Sequence, residues 1–337
     1  QPPARLVADA DRIPLPAARC PPAMTGLVHS QATLLHDTGA GHPERPGRIG
    51  AVLDRLRRDG LAERCLEIEP RPATDEDLLR VHAPGYLATV RGDVERGERT
   101  LSTGDTVLSG RPSLDAALAA TGALLAAVDA VCERRSTNAF AVIRPPGHHA
   151  TPTQGMGFCF FNSVAIAARH AQARHGVGRV LVVDWDVHHG NGTQDAFYDD
   201  PTVLFFDTHQ SPLYPGTGAA DEIGAGAGEG FTINCPFPAG AGRREILAAY
   251  RERLLPAADA FRPELVLVSA GFDSRIGDPL GRFTLADDDF AEMTRLVCGI
   301  AARHAGGRVV STLEGGYDLD GLASAAAAHV AALLEQA

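Results

Sequence analysis

The segment from Asp184 to His188 carries three side chains that can bind a metal ion or move a proton. Asp186 and His188 are two residues apart, and in an extended backbone residues at this spacing project to the same side. They follow the apolar run 180–183, which predicts a buried strand, and open α/β sheets bind ligands at the carboxyl ends of strands. Because zinc accepts both histidine nitrogen and aspartate oxygen, we predict that Asp186 and His188 belong to a zinc site.

A third ligand is expected from another strand end. The apolar run 265–269 leads through Ala-Gly-Phe to Asp273, so again a predicted strand ends in a glycine turn with an acid at its tip. Such an acid on its own is more often a helix cap or a loop residue. Together with Asp186 and His188, however, it gives three protein ligands and an open position, the arrangement of a catalytic rather than a structural zinc ion.

Two adjacent histidines follow a further predicted strand, in Arg144-Pro-Pro-Gly-His148-His149. Neighbouring histidines in a loop are usually surface residues, but the Pro-Pro-Gly frame fixes this backbone at a strand end and predicts that the pair reaches the metal site. A neutral imidazole in that position can act as a general base. Asp184 is close enough in sequence to the metal ligands to hold one of the two histidines in the required tautomer.

A tyrosine completes the set of candidate catalytic residues. Tyr317 follows a predicted strand and two glycines in Leu313-Glu-Gly-Gly-Tyr317. A lone tyrosine in this context is usually a packing residue. Beside a metal and a histidine base, its hydroxyl can instead donate a hydrogen bond to an oxyanion as it forms.

The elements that must position these residues alternate between strands and helices, which predicts a single α/β domain with a mainly parallel sheet covered on both faces. We expect an N-terminal extension over 1–24 and one catalytic domain over 25–337, since no linker or repeat divides the chain. Thr74 before Asp77 and Thr284 before Asp287 resemble helix N-caps. Glycine-rich 216–230 and 271–281 predict long loops. Strands are predicted at 139–143, 179–183, 202–207, 231–235, 265–269 and 308–313, and helices at 113–135, 163–175, 243–261 and 285–304.

Composition narrows the range of functions. The 337 residues are 45% hydrophobic and 22% charged, which is typical of a soluble enzyme. A formal net charge of −11 argues against general binding to nucleic acid or to anionic membranes, while it permits cationic ligands. No apolar run reaches the roughly 20 residues of a membrane span. The six cysteines form no Cys-x-x-Cys pair, so we expect free thiols and a cytoplasmic location.

Five segments together resemble the zinc-dependent histone deacetylase family, part of the arginase–deacetylase superfamily, in its class II and bacterial amidohydrolase branch. The likeness covers nearly the whole chain from about Thr25, in the order of the family's motifs. The matching segments are Arg-Pro-Pro-Gly-His-His-Ala (144–150), Gly-Phe-Cys-Phe-Phe-Asn (157–162), Val-Asp-Trp-Asp-Val-His-His-Gly-Asn-Gly-Thr-Gln (183–194), Ser-Ala-Gly-Phe-Asp-Ser (269–274) and Leu-Glu-Gly-Gly-Tyr (313–317).

The resemblance implies the arginase–deacetylase fold and a role for each matched residue. His149 would be the general base and acid, with Asn191 bound to its ring, and His148 its electrostatic partner, bound by Asp184. Asn191 stands where class I members have Asp, and a neutral partner should leave His149 less basic. The zinc ligands implied are Asp186, His188 and Asp273; the oxyanion donor is Tyr317; the substrate-binding residues are Gly157, Phe158, Tyr214, Leu280, Asp105 at the rim and Arg48 beneath the site.

Two details of the resemblance concern substrate and structural ions. Tyr214 stands where the family generally carries Phe, so its hydroxyl is expected to alter the preference for the acyl chain. The family also carries structural potassium, and here Asp207 replaces a usual Ser at the inner site. The implied potassium ligands are Asp184, Asp186, His188, Asp207 and Thr208 for the inner site, and Phe197, Asp200, Val203 and Phe231 for the outer site.

The reaction that we expect is hydrolysis of an N-acyl amide, most readily acetyl-lysine, by a metal-activated water. The partners implied are an acylated lysine peptide or a small N-acetylated amine, with neither nucleic acid nor membrane. One alternative is an acetylpolyamine amidohydrolase, although Leu280 stands where polyamine-selective vertebrate relatives have an acid. A two-manganese ureohydrolase would need a further acid where Gly190 stands. The last alternative is an acyl-lysine binding protein without catalysis.

Overall fold

The computed structural model describes residues 24–337, so most of the predicted extension 1–24, with Cys20, lies outside the described residues. Within them, eight strands form one sheet in which every adjacent pair is parallel, in the order β2-β1-β3-β8-β7-β4-β5-β6. The strands are β1 Thr25–Val28, β2 Leu66–Glu67, β3 Asn138–Ala141, β4 Val180–Asp184, β5 Val203–Gln210, β6 Thr232–Phe237, β7 Leu265–Ala270 and β8 Val309–Leu313.

Helices connect the strands and cover both faces of the sheet, which confirms the predicted architecture. Their bounds are α1 Gly47–Arg58, α2 Asp75–Leu78, α3 Pro84–Arg96, α4 Arg111–Cys132, α5 Ser163–His175, α6 Asn191–Phe197, α7 Arg243–Ala249, α8 Leu255–Phe261, α9 Asp287–His304 and α10 Leu319–Glu335. The predicted helix 243–261 is present as α7 and α8, joined by a π-helical turn at Tyr250–Leu254. Pro256 follows that turn, and a proline cannot supply the N–H that a regular helix requires there.

The central strand β4 shows why its sequence is apolar at every position. Leu181 and Val183 are buried in one hydrophobic core, on the side of α1, α9 and α10. Val180 and Val182 are buried in the other, which α4 and α5 cover. Since alternate residues of a strand point to opposite faces, a strand between two cores needs apolar side chains on both. Only where β4 ends, at Asp184, does the sequence turn polar.

Two expectations about the helices need correction. Thr284 does not cap α9: the helix begins at Asp287, and the carboxylate of Asp289 accepts the backbone N–H of Ala286 instead (2.8 Å). The 22-residue α4 is long and apolar enough to cross a membrane, contrary to the expectation from apolar runs. However, 83% of its apolar window is buried within the protein, which is typical of a core helix. The predicted cap at Thr74 is confirmed by its capping box with Asp77.

Candidate active site

The predicted site residues lie where four neighbouring strands end. In the sheet, β3, β8, β7 and β4 are adjacent, and all four run in the same direction. The His148–His149 pair follows β3, Tyr317 follows β8, Asp273 follows β7, and Asp186 follows β4. The parallel topology therefore brings together residues that are up to 169 positions apart in the chain, from His148 to Tyr317.

The side chains of Asp186, His188 and Asp273 converge on one point. His188 Nδ1 lies 3.0 Å from Asp186 Oδ1 and 3.1 Å from Asp273 Oδ2, and the ligand atoms of all three are within 4.8 Å of one another. Backbone N–H groups hold the outer oxygens: Gly315 donates to Asp186 Oδ2 (2.8 Å) and Val187 to Asp273 Oδ1 (2.9 Å). A Cβ at Gly315 would overlap both carboxylates, so this position requires glycine.

The electrostatics of these three residues call for a cation. Burial and the charge of Asp186 raise the pKa of Asp273 to about 7. Burial alone would lower the pKa of His188, but hydrogen bonding to Asp186 and Asp273 raises it to about 10. Two buried carboxylates this close repel each other unless a positive charge lies between them. Two aspartate oxygens and one imidazole nitrogen are also a donor set that zinc accepts, so the residues present fit a zinc ion.

The histidine pair is held by two different partners. His148 Nδ1 lies 2.9 Å from Asp184 Oδ2, and His149 Nδ1 lies 2.8 Å from Asn191 Oδ1. Despite its burial, His148 has a pKa well above the usual value because Asp184 and Asp186 stabilise its charged form. The pKa of His149 is lowered by burial and by the adjacent His148 and His188. At neutral pH, His149 is therefore the imidazole that can accept a proton.

Tyr317 is buried beside the metal ligands and is held through its backbone. Its N–H donates to Asp278 Oδ2 (2.7 Å), and the guanidinium of Arg48 lies 5.0 Å from the centre of its ring. Arg48 itself donates from Nε to the carbonyl oxygen of Gly316 (2.7 Å) and from Nη2 to that of Glu314. Burial raises the pKa of the Tyr317 phenol, so its hydroxyl keeps the proton that an oxyanion donor needs.

A cavity of about 280 Å³ leads from the surface to these residues. Its polar floor is formed by His149, His188 and Tyr317, and its walls are mostly apolar. The backbone of Gly157 and Phe158 has positive φ (56° and 69°), an uncommon conformation for Phe that is often found at functional sites. The remaining lining residues are Asp105, Gly157, Phe158, Leu213, Tyr214 and Leu280.

Asp105 and Tyr214 are joined at the mouth of this cavity. The Tyr214 hydroxyl donates to Asp105 Oδ2 (3.2 Å), and the backbone N–H of Gly157 donates to Asp105 Oδ1 (2.7 Å). Both side chains are exposed, so a substrate entering the cavity meets a carboxylate whose direction is already fixed. The hydroxyl that distinguishes Tyr214 from Phe thus acts on the rim acid.

Sequence reasoning missed three residues that shape the site. Glu314 is buried and accepts the backbone N–H groups of Gly147 (2.6 Å) and His148 (3.2 Å). Asp278 accepts those of Tyr317, Asp318 and Leu280. Leu213 lines the cavity beside Tyr214. Glu314 lies inside the motif Leu313-Glu-Gly-Gly-Tyr317. An acidic residue between an apolar strand and two glycines is the signal that could have identified it.

The positions assigned to potassium lie around β4 and β5. Asp184 and Asp207 are fully buried neighbours at the ends of these strands. Asp207 already interacts with two groups: His209 Nδ1 lies 2.7 Å from its Oδ1, and the N–H of Gly190 donates to its Oδ2 (2.8 Å). At the outer positions, Asp200 forms an ion pair with Arg169 (2.6 Å), whose guanidinium also lies over the ring of Phe197, and Phe231 accepts the N–H of Phe205 (2.8 Å). The other assigned positions, Thr208 and Val203, are buried in β5.

A second metal ion beside the first, as in a ureohydrolase, has no ligand at Gly190. A Cβ at this position would overlap the carboxylate of Asp184, so a longer acidic side chain would not fit in the present backbone. Among the described residues, the only acid–histidine cluster at the strand ends that could hold an ion is Asp186, His188 and Asp273.

The chain is similar in sequence to deacetylases and in structure to a histone deacetylase-type domain. Residues 42–333 match the model of the histone deacetylase domain. A probable deacetylase of Archaeoglobus fulgidus is 40% identical over 88% of this chain and 82% of that protein. Human polyamine deacetylase HDAC10 is 45% identical over 92% of this chain and 48% of its own length. A histone deacetylase-like amidohydrolase of Pseudomonas aeruginosa is 44% identical over 82% and 73%. The crystal structure of the HDA15 HD domain superposes with a TM-score of 0.88 at 37% identity, covering 93% of this chain and 90% of that one.

Proposed function

Because the chain belongs to the histone deacetylase family and is a deacetylase of the amidohydrolase type, we propose that it uses one zinc ion to hydrolyse N-acyl amides, acetyl-lysine above all. The observation that carries this proposal is the convergence of Asp186, His188 and Asp273 beside a neutral histidine and a protonated tyrosine, on the floor of an apolar cavity. An acyl-lysine side chain has the matching shape, an apolar stem that ends in an amide.

Asp186, His188 and Asp273 would hold the zinc ion. When bound, zinc would polarise the amide carbonyl and acidify the attacking water. The apolar walls formed by Phe158, Leu213 and Leu280 would orient the stem of the substrate and exclude bulk water from the floor.

The proton transfers would be carried out by His149 and the charge stabilisation by Tyr317. The lowered pKa of His149 leaves its ring free to take the proton of the water at neutral pH. The Tyr317 hydroxyl would donate to the developing oxyanion. His149 would then return the proton to the leaving amine, while His148, charged and bound to Asp184, stays a donor to its carboxylate throughout.

The decisive experiment measures deacetylation of an acetyl-lysine peptide by protein with a defined metal content. Chelation should abolish turnover, and adding zinc back should restore it. Replacing Tyr317 by Phe should lower kcat by roughly 10²–10³, the usual cost of a lost oxyanion donor. Tyr198→Phe, outside the residues that line the cavity, is the matched control. Zinc-independent turnover, or full turnover of Tyr317→Phe, would contradict the proposal, and binding of the peptide without any turnover would support the non-catalytic alternative.

A second candidate substrate is an acetylated polyamine. It is favoured by the likeness to a polyamine deacetylase and by the carboxylate of Asp105 at the cavity mouth, which could bind an ammonium group. Against it, the cavity wall carries the apolar Leu280 at the position where polyamine-selective vertebrate relatives are expected to have an acid. The ratio of kcat/KM for the peptide to that for N-acetylputrescine decides between them: a ratio above one is expected for this chain, and Leu280→Glu should lower it.

The structural potassium ions and the cytoplasmic location stay proposals. The inner ion is supported by two fully buried carboxylates, Asp184 and Asp207, at adjacent strand ends. A rise in melting temperature on replacing sodium by potassium would support the ion sites. An identical melting temperature in both salts would count against them.

A further inference from the structure

Three side chains outside the candidate active site also converge on one point. His170 Nε2 and His175 Nε2 each lie 2.7 Å from the same oxygen of Asp129, Oδ1. The ligand atoms of the three residues are all within 4.8 Å of one another. In the candidate zinc site, His188 lies at a similar distance from its two carboxylates. Two imidazoles and one carboxylate are a donor set that divalent transition ions accept.

The cluster lies at the opposite end of the sheet from the active site. Helix α5 begins beside the histidine loop, where Asn162 donates to the carbonyl oxygen of Ala150 (3.2 Å), and it ends at His175. Its 13 residues make it about 18 Å long at 1.5 Å per residue. Asp129 lies near the C-terminus of α4, which ends just before β3 begins, at the edge of the sheet opposite to the active site. The two sets of residues are therefore independent of each other.

The surroundings of His170 indicate a ligand. Its Nδ1 is buried without a hydrogen-bond partner and lies 3.8 Å from Asp77 Oδ1. If a neutral His170 donates from Nε2 to Asp129, its Nδ1 lone pair faces this second carboxylate, which is unfavourable. If Nε2 binds a metal ion, the proton moves to Nδ1 and points at Asp77. Carboxylates commonly orient metal-binding histidines in this way.

The local charge also favours a cation that can enter from solvent. Asp129 and His175 lie in the last turns of α4 and α5, where the partial negative charge of a helix C-terminus attracts cations. The side chains of Asp129 and His175 are 16% and 14% exposed. Arg174, with Nε 3.9 Å from Asp129 Oδ1, is 63% exposed and free to turn toward solvent.

We propose that Asp129, His170 and His175 form a second metal site, which takes a divalent transition ion such as Zn²⁺ and joins the ends of α4 and α5. Zinc–ligand bonds of about 2.1 Å place tetrahedral ligands about 3.4 Å apart, so each imidazole nitrogen needs to move away from Asp129 Oδ1 by less than about 1 Å. The ion stabilises this end of the fold and takes no part in amide hydrolysis.

The test counts zinc ions per chain after equilibrium dialysis of the full-length protein. The wild-type protein should bind about two ions, and His175→Gln about one, with deacetylase activity within about twofold of the wild type. His188→Ala, which breaks the catalytic site, should also bind about one. In that background, Co²⁺ should still give the visible absorption of a bound ion, and adding His175→Gln should abolish it.

His304→Gln is the matched control. His304 is the last residue of α9, as His175 is of α5, and it pairs with Asp259 at 2.8 Å, but within residues 24–337 no third metal-binding side chain joins this pair. This variant should bind two ions and keep the rise in melting temperature that zinc produces, whereas His175→Gln and Asp129→Asn should lose part of that rise. If His175→Gln binds as many ions as the wild type, the cluster is only a hydrogen-bonded pair around one carboxylate. That result would leave the deacetylase activity, measured separately, unaffected.

Discussion

Replacing Glu314 tests whether the histidine loop owes its position to this one buried carboxylate. Glu314 Oε2 accepts the N–H groups of Gly147 and His148, and Oε1 accepts the hydroxyl of Ser269 (3.1 Å). In Glu314→Ala, two buried backbone donors lose their acceptor. At about 1–3 kcal/mol for each unsatisfied group, the free energy of unfolding should fall by about 2–6 kcal/mol. The loop that carries His149 should also move.

The matched variant is Glu314→Gln, because the amide can reproduce every contact. Its oxygen can accept both N–H groups, and its NH₂ can donate to the oxygen of Ser269. We expect Gln to retain kcat on an acetyl-lysine peptide within about threefold, while Ala lowers it by about 10², the effect of a shift of about 1 Å in a catalytic group. Both are measured by steady-state kinetics, with urea unfolding for stability. Wild-type activity in Glu314→Ala would refute the positioning role, whereas equal losses in the Ala and Gln variants would show that the negative charge itself is needed.

Three further predictions follow from contacts of the same kind. In Asp278→Asn the NH₂ group must face the backbone N–H of either Leu280 or Tyr317, so one of these two donors loses its acceptor. We expect kcat to be about tenfold lower and the free energy of unfolding to fall by about 1–3 kcal/mol. Wild-type kinetics would contradict this prediction. Tyr214→Phe releases Asp105, so KM for a peptide should rise about fivefold, the value of one hydrogen bond, at unchanged kcat; a change confined to kcat would rule it out. Burial lowers the pKa of His329 to about 3 in the folded protein, whereas in the unfolded chain it is about 6.5. Between these two pH values the unfolded chain binds more protons, so the contribution of His329 to folding stability is complete above pH 6.5 and falls by about 1.4 kcal/mol for each pH unit of acidification below it. Urea unfolding of His329→Gln should lack that slope, and parallel pH profiles of the two proteins would disprove the assignment.

The sequence alone was sufficient to predict the strands that carry the site residues. In β4 and β7 every residue is buried between two cores, so the apolar run and the polar residue that ends it are both visible in the sequence. The same logic failed for β1 and β2. Leu66–Glu67 is a two-residue edge strand with an exposed glutamate, and Thr25–Val28 contains a glycine, so neither has the composition of a buried strand.

The sequence identified those site residues whose own side chains carry the chemistry, and it missed those that position other segments. Asp186, His188 and His149 contribute the donor atoms of their own side chains to the site, and their residue types suggest that role. Glu314 and Asp278 act on the backbone of other segments, so their contribution depends on which loops are neighbours. That information exists only in the tertiary structure. The pairing of Tyr214 with Asp105, 109 residues apart, is of the same kind.

The position of β8 has a consequence for how the enzyme is made. Of the eight strands that the structure describes, β8 is synthesised after the other seven, yet it lies in the middle of the sheet, between β3 and β7. Until residues 309–313 are synthesised, the earlier strands form two separate blocks with open inner edges, a state prone to aggregation. The histidine pair belongs to one block and the metal ligands to the other. A nascent or truncated chain without β8 should therefore be both inactive and insoluble, and activity is expected only after β8 joins the two halves.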